Sequence, residues 1–423
     1  MSAGIPEIRA MEMEDVKLPV KVQLPNGVPL FLINEGVRDV VRLDLLFSGG
    51  YAVQNQPLQA LFTNRMLREG CSAMGATAFS RSIDSCGAWI ETYSTQECNH
   101  VTLYSLKRHI GKLLKIISDA VKSPAFSERR LNVVRAANKS HFQVNSCKVD
   151  VVAQRHFEKS LWGAEHKFGR LVTVEDYDAI TVESLREYYA RVYGACNCSI
   201  FLSGNIDDAI VQTVTNYFGE EQWGASTPVK IDDVPPVGSA CGRVDVKVND
   251  TMQSTVKIGS MTLDTSHPDF QTLKYMTVLL GGFFGSRLMT NIRERNGYTY
   301  HIEADISAFG KRNALVVTSE TSNEYVSPLI AEVYNEFSRL QNEPVSLKEM
   351  EKLRNCTLGE LCREYEGVIA KADIFINTYL SGEPFESVNK YLNVVRTATP
   401  EDFMRMAQAH LSPEKMIEIV AGA

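Results

Sequence analysis

Histidine, cysteine, serine and the carboxylates are the side chains that most often carry chemistry, and their spacing in this chain of 423 residues restricts what chemistry is open to it. The histidines are His100, His109, His141, His156, His166, His267, His301 and His410. A zinc site on one helix needs histidines at i and i+4, with a carboxylate between them, so that all leave the same face. No two of these histidines are four apart, which disfavours a self-contained zinc hydrolase. The most conspicuous loop is Gly281–Arg287, GGFFGSR. A phosphate-binding loop would end Gly-Lys-Ser/Thr, but Gly285 is followed by Ser286 and Arg287. A dinucleotide fingerprint opens from a strand, whereas a helical pattern precedes this loop, so a tight helix-to-helix turn is the simpler reading. No GxSxG elbow occurs, and no cysteine sits in a motif that nominates it as a nucleophile.

The nine cysteines are odd in number and scattered. Cys196 and Cys198 are two apart, Cys356 and Cys362 six apart, and no CxxC pair repeats. That usage predicts reduced, mostly buried thiols and no cysteine-based zinc site. The charge is mildly acidic, 44 Lys+Arg against 51 Asp+Glu, a net of -7. Without a dense basic block, nucleic acid is not an expected partner, and neither is a membrane surface. Hydrophobic residues at 44% and charged residues at 22% are ordinary for a folded, soluble protein. No apolar run marks a secretory leader or a bilayer span, so the expected location is cytoplasmic.

The elements that must position any site fall into two halves. The stretch from Gly224 to Cys241 holds three prolines with Gly, Ser and Asp and no helical period, and it reads as a linker. The predicted domains are therefore 1–223 and 242–423, joined by 224–241. In the first, Val20–Leu24 and Pro29–Ile33 flank the turn Pro25-Asn26-Gly27, followed by an alternating strand at Val41–Phe47. Leu58, Leu61, Phe62 and Met66 then share one helix face. A second helix is predicted near Phe79–Cys86, then strands at Ala88–Tyr93 and Asn99–Leu106, long helices from about His109, and a last strand at Asn197–Leu202. The second half repeats the order. Strands at Arg243–Val248 and Thr255–Ile258 precede a helix through Phe270 and Leu273. A further helix is predicted at Ser286–Arg295, then strands at Tyr300–Ile306 and Ala314–Ser319, long helices, and a strand at Met416–Val420. Thr399-Pro400-Glu401-Asp402 is a strong helix start. Runs of strands followed by runs of helices indicate an α+β fold, here a tandem duplication of two homologous domains, each a mainly antiparallel sheet packed with helices.

Gly281 to Ser307, GGFFGSRLMTNIRERNGYTYHIEADIS, resembles the second-domain signature of the insulinase/pitrilysin-like metallopeptidase family, which includes mitochondrial processing peptidase. In that family a Gly-Gly turn and Ser-Arg-Leu are followed by Arg-Glu-x-x-Gly-x-x-Tyr, matched here by Arg293, Glu294, Gly297 and Tyr300. The resemblance runs from about Val20 to Val420 and implies the processing-peptidase-like metallohydrolase fold. Catalytic members carry His-x-x-Glu-His on the helix after the third strand. Here that helix reads LFTNRMLREG, and Met66-Leu67 with Gly70 set a register that puts Leu61, Asn64 and Arg65 at the two histidines and the glutamate. The third ligand, a glutamate on a later helix, is matched by Ala136 or Ala137. Leucine offers no lone pair, arginine adds a fixed positive charge where the cation would sit, and asparagine cannot replace the glutamate as a general base. No zinc is expected in this chain.

In active members the arginine and tyrosine of the second domain face the zinc, the tyrosine donating to the oxyanion and the arginine to substrate carbonyls. The resemblance implies that Arg293 and Tyr300 do so in trans, with the zinc in a partner subunit and an extended peptide as substrate. A homodimer is the other assembly open to the chain. Read without the family, Arg293 favours a helix dipole and Tyr300 is half-buried in a strand. A non-catalytic scaffold or peptide-binding homologue, like the core proteins of respiratory complex III, is the rival function.

Overall fold

The computed structural model describes residues 12–36, 38–233, 235–236 and 241–422. Residues 1–11, part of the stretch in which no leader is expected, and 234 and 237–240, part of the expected linker, lie outside the described residues. The chain divides into two compact units.

In the N-terminal unit a hairpin joins β1 (Val20–Gln23) to β2 (Pro29–Asn34). Gly27 closes it with φ +90°, a left-handed conformation that suits glycine. β3 (Val40–Ser48) is followed by α1 (Gln59–Met66), the short pair β4 (Gly70–Cys71) and β5 (Met74–Gly75), and α2 (Ala76–Asp84). Then come β6 (Trp89–Ser94), β7 (Cys98–Leu106), α3 (Ile110–Lys122), α4 (Glu128–Asn145), α5 (Val149–Trp162), α6 (Val174–Asp178), α7 (Val182–Val192), β8 (Cys198–Gly204) and α8 (Asp208–Phe218). The main sheet has the order β1-β2-β8-β3-β7-β6. β3 and β8 are buried along almost their whole length because helices and loops cover both faces. Leu43, Leu45, Phe47, Leu113, Ile117 and Tyr188 belong to the core. Each such side chain contributes about 1.5–3 kcal/mol on burial.

The C-terminal unit runs β9 (Gly242–Lys247), β10 (Gln253–Met261), α9 (Phe270–Thr277), β11 (Thr299–Phe309), β12 (Arg312–Ser322), α10 (Val326–Asn342), α11 (Leu347–Glu366), α12 (Val368–Leu380), α13 (Ser387–Thr397), α14 (Pro400–His410) and β13 (Ile417–Gly422). Its sheet has the order β11-β12-β10-β13-β9. β10 pairs antiparallel with β12 and β13, and β13 pairs parallel with β9. In the first unit β3 pairs antiparallel with β7 and β8, and β8 parallel with β2. The two sheets thus share one topology, with β1 added in the first, which establishes the duplication. Thr399 caps α14 reciprocally with Asp402, and Pro400 takes the first turn, as the sequence predicts.

Two segments depart from the predicted division. Residues 12–17 pack with the C-terminal unit, where the Val16 N–H donates to Asn389 Oδ1 at 2.8 Å and Asn389 Nδ2 donates back to the Val16 carbonyl at 3.1 Å. Ala372–Leu380, most of α12, packs with the N-terminal unit. There Arg42 Nη1 meets Asp373 at 2.7 Å, and the Tyr379 ring lies against Phe31 and Phe201 at 5.1 and 5.6 Å. The start of the expected linker is also held in the N-terminal unit, by the Ala225 N–H on the Tyr193 carbonyl at 2.9 Å and the Val229 N–H on Asn197 Oδ1 at 2.7 Å. Paired polar groups and apolar rings, not position along the chain, set the division. All nine cysteines are free thiols, but only Cys71, Cys86, Cys98 and Cys198 are buried, so the expectation of mostly buried thiols fails for the majority. Among the described residues no helix is long and apolar enough to cross a membrane.

Candidate functional site

Leu61, Asn64 and Arg65, which the resemblance sets at the metal-motif positions, lie on α1 in the N-terminal unit. Leu61 is half-buried and packs against the cluster of Phe62, Met66 and Leu131. Asn64 is fully buried, and its Nδ2 donates to the carbonyls of Tyr93 at 2.6 Å and His100 at 3.0 Å. Asn64 therefore staples α1 to β6 and β7. Arg65 is half-buried beside the phenols of Tyr51 and Tyr177, and burial pushes its pKa down. Burial likewise pushes Tyr51 up to about 12. His100 stacks on Tyr93 with ring centroids 4.1 Å apart, and burial, then the nearby Arg42 charge, pushes its imidazole down to about 4.

Ala136 and Ala137, matched by the resemblance to the third ligand, lie on α4. Both alanines are exposed, while Leu131, Val134 and Phe142 pack into the same cluster as Leu61. At about 100° per residue the inward row is Leu131, Val134, Arg135, Asn138 and Phe142, and the alanines lie roughly opposite. No residue of that row is a carboxylate. Zinc does not fit these residues: the α1 face offers an aliphatic chain, an engaged amide and a guanidinium. Among the described residues no group of three or more His, Cys, Asp or Glu is placed to hold a metal ion.

Arg293 and Tyr300 lie in the C-terminal unit, and both line one cavity of about 620 Å³ with Gln253, Glu294 and Glu320. The helix predicted at Ser286–Arg295 is π-wound over Met289–Arg295 and ends at Gly297, φ +67°. Single π turns occur often at functional sites because the extra residue re-aims the side chains that follow. The Arg293 guanidinium lies over the Phe284 ring, 4.6 Å from its centroid. Tyr300 stands on β11, an edge strand, and is 91% exposed, so the half-buried alternative does not hold.

A β-bulge explains that exposure. The pairing of β11 with β12 shifts between Thr299 and Ile302, so Tyr300 and His301 both point outward where alternation would bury one. The bulge is pinned by two buried hydroxyls. Thr299 Oγ1 donates to the Glu320 carbonyl at 2.5 Å and accepts the His301 N–H at 3.1 Å. Ser319 Oγ donates to the His301 carbonyl at 2.9 Å. Sequence reasoning missed Phe284, Thr299 and Ser319. The Phe-Phe in GGFFGSR signalled the first, but the bulge depends on β12 and has no local mark.

The family model described as "Peptidase M16 inactive domain" matches residues 179–356. The chain is 21% identical to "Uncharacterized zinc protease YmxG" of Bacillus subtilis (strain 168), over 82% of this chain and 84% of that one. It is 21% identical to "Non-peptidase homolog YmxG" of Helicobacter pylori, over 94% and 90%. Among solved structures, a peptidase M16 inactive domain from Pseudomonas fluorescens superposes with TM-score 0.85 at 20% identity, over 96% of this chain and 98% of that one. A chain of Complex III2 from Candida albicans superposes with TM-score 0.76 at 13% identity, over 95% of each. The duplicated sheet, the Arg-Glu-x-x-Gly-x-x-Tyr segment and these matches agree, and residues 179–356 match the inactive domain of the M16 peptidases.

Proposed function

We propose that this chain is the non-zinc subunit of a two-subunit peptidase, contributing Arg293 and Tyr300 to the cleavage of an extended peptide in trans to a zinc-bearing family member. The observation that carries this reading is the exposure of Tyr300 at 91% on a pinned bulge, beside Arg293 on the wall of the same cavity. Neither side chain makes a hydrogen bond or ion pair among the described residues, and the contact that holds Arg293, the Phe284 ring, leaves its N–H donors free. A phenol O–H and a guanidinium held ready are donors suited to charge that develops on a substrate carbonyl. The peptide lies as an added strand on the partner's sheet edge.

The rival reading is a scaffold or peptide-binding homologue. It is favoured by Asn64, whose two bonds to sheet carbonyls turn the old motif helix into a packing element. Its fold-level support is the likeness to the complex III chain.

Capture of the chain from its native cells, with peptide-cleavage and zinc assays on what co-purifies, separates the two. Under the proposal a partner of similar mass carries zinc, and Tyr300→Phe lowers cleavage by the pair roughly 10²–10³-fold while leaving its melting temperature unchanged. A partner fully active alone, and indifferent to Tyr300→Phe and Arg293→Ala, sinks the proposal.

A further inference from the structure

The Gly281–Arg287 loop walls a second cavity of the C-terminal unit, about 480 Å³, which shares no lining residue with the one at Tyr300. Its walls carry Arg287, Arg295, Arg339, Lys348 and Lys352 against Glu336 and Glu349, five positive charges minus two negative, an excess of three. The chain as a whole carries -7, so this concentration is local.

Three polar atoms in the wall are buried without a hydrogen-bond partner among the described residues: Ser286 Oγ, Arg287 Nη1 and Glu336 Oε2. Ser286 is 0% and Glu336 1% exposed, and the Arg287 side chain is 10% exposed. The Arg287 guanidinium is fixed because Nε and Nη2 donate to the Glu349 carboxylate at 2.8 and 3.0 Å, which leaves Nη1 over. Glu336 Oε1 is likewise engaged, by Arg339 Nη1 at 2.8 Å and Asn291 Nδ2 at 3.0 Å, leaving Oε2. A buried polar atom left without a partner is costly and uncommon in native folds, so three on one wall mark a place where another molecule supplies the partners. Water could satisfy a lone hydroxyl, but it gives no reason for the gathered cations.

We propose that this cavity binds a small sugar phosphate. A phosphate monoester carries about -1.5 to -2 charge and three terminal oxygens, which matches the excess charge. Those oxygens accept from the exposed Arg295 and Lys348 and, once rotation of the wall side chains uncovers them, from the Ser286 hydroxyl and the remaining Arg287 N–H. A guanidinium whose fork is already on Glu349 offers one N–H, which suits a phosphate oxygen better than a two-pronged carboxylate contact. The start of α11 also lines the cavity, through Ser346 and Lys348, and the positive end of its dipole adds to the field. Glu336 Oε2 is an acceptor and takes a sugar hydroxyl. The volume lies in the ordinary range for small-molecule sites, about 300–1,000 Å³.

Calorimetric titration of the full chain with ribose 5-phosphate tests this, with ribose and orthophosphate as comparisons. Saturable binding of ribose 5-phosphate, weaker binding of orthophosphate and none of ribose is expected. Ser286→Ala removes a hydroxyl that has no partner in the protein, so the fold is kept while affinity falls roughly fivefold or more. Arg295→Ala with Lys348→Ala, both exposed side chains, lowers affinity more than about tenfold. The proposal is overturned if the native chain shows no saturable binding, if orthophosphate binds as tightly as the ester, or if the variants bind like the native chain.

Discussion

Asn64 and His100 are single polar residues put to structural use, one joining α1 to the sheet and the other stacked on Tyr93. An imidazole in the unfolded chain titrates near 6.5, whereas His100 in the fold titrates near 4, because burial disfavours its charged form. Between those values the unfolded chain binds the extra proton. The stability His100 contributes is therefore complete above about pH 6.5 and is lost as pH falls to about 4, up to roughly 3 kcal/mol. Urea unfolding at pH 7 and pH 4.5 is expected to differ less in His100→Phe, which keeps the stack on Tyr93 but cannot take up a proton. Equal losses in both proteins would show that His100 does not set the dependence.

At the scale of the element, the bulge in β11 decides where Tyr300 points. Thr299→Val keeps the shape of the side chain but removes the hydroxyl that serves the Glu320 carbonyl and the His301 N–H. Stability should fall by about 1–2 kcal/mol. Amide exchange should quicken over the first residues of β11 and, under the proposed function, cleavage with the zinc-bearing partner should fall at least about tenfold with association unchanged. Cleavage at the native rate despite faster exchange would mean that the aim of Tyr300 does not matter. α4 teaches the same lesson for helices. Its sequence predicts a long helix, but the turn of that helix against α1, which puts Asn138 inward and Ala136 outward, is set by Leu131 and Phe142 finding the Phe62 cluster.

For the whole molecule, the segment Ala372–Leu380 makes the N-terminal unit depend on chain from the second half. A fragment of residues 18–240 lacks Tyr379 and Phe375, and it leaves Arg42 without Asp373. Losing the buried Phe375 ring and the half-buried Tyr379 ring alone removes on the order of 2–4 kcal/mol. The fragment should bind a hydrophobic dye and unfold at lower denaturant than the intact protein, and a peptide spanning Val368–Leu380 should restore part of the difference. A fragment that binds no dye and matches the intact chain in midpoint would show that the segment is dispensable.

The sequence by itself determined the features that depend on local composition and spacing. Alternation and turn residues marked the β1–β2 hairpin, the Thr399–Asp402 cap marked the start of α14, and repetition of element order marked the duplication. That Leu61 and Arg65 cannot ligate zinc is equally legible, because chemistry that a side chain lacks is lacking in any fold. Only the tertiary structure decided which row of α4 faces α1, that Tyr300 is turned out by a bulge, and that Arg287 and Glu336 bring unpartnered atoms to one cavity. It also decided that residues 12–17 and Ala372–Leu380 pack with the units that sequence order does not assign them to. The physical reason is common to these cases. Each outcome is a balance of burial and hydrogen bonding between residues far apart in the chain, and such a balance leaves no periodicity in the segment whose fate it settles.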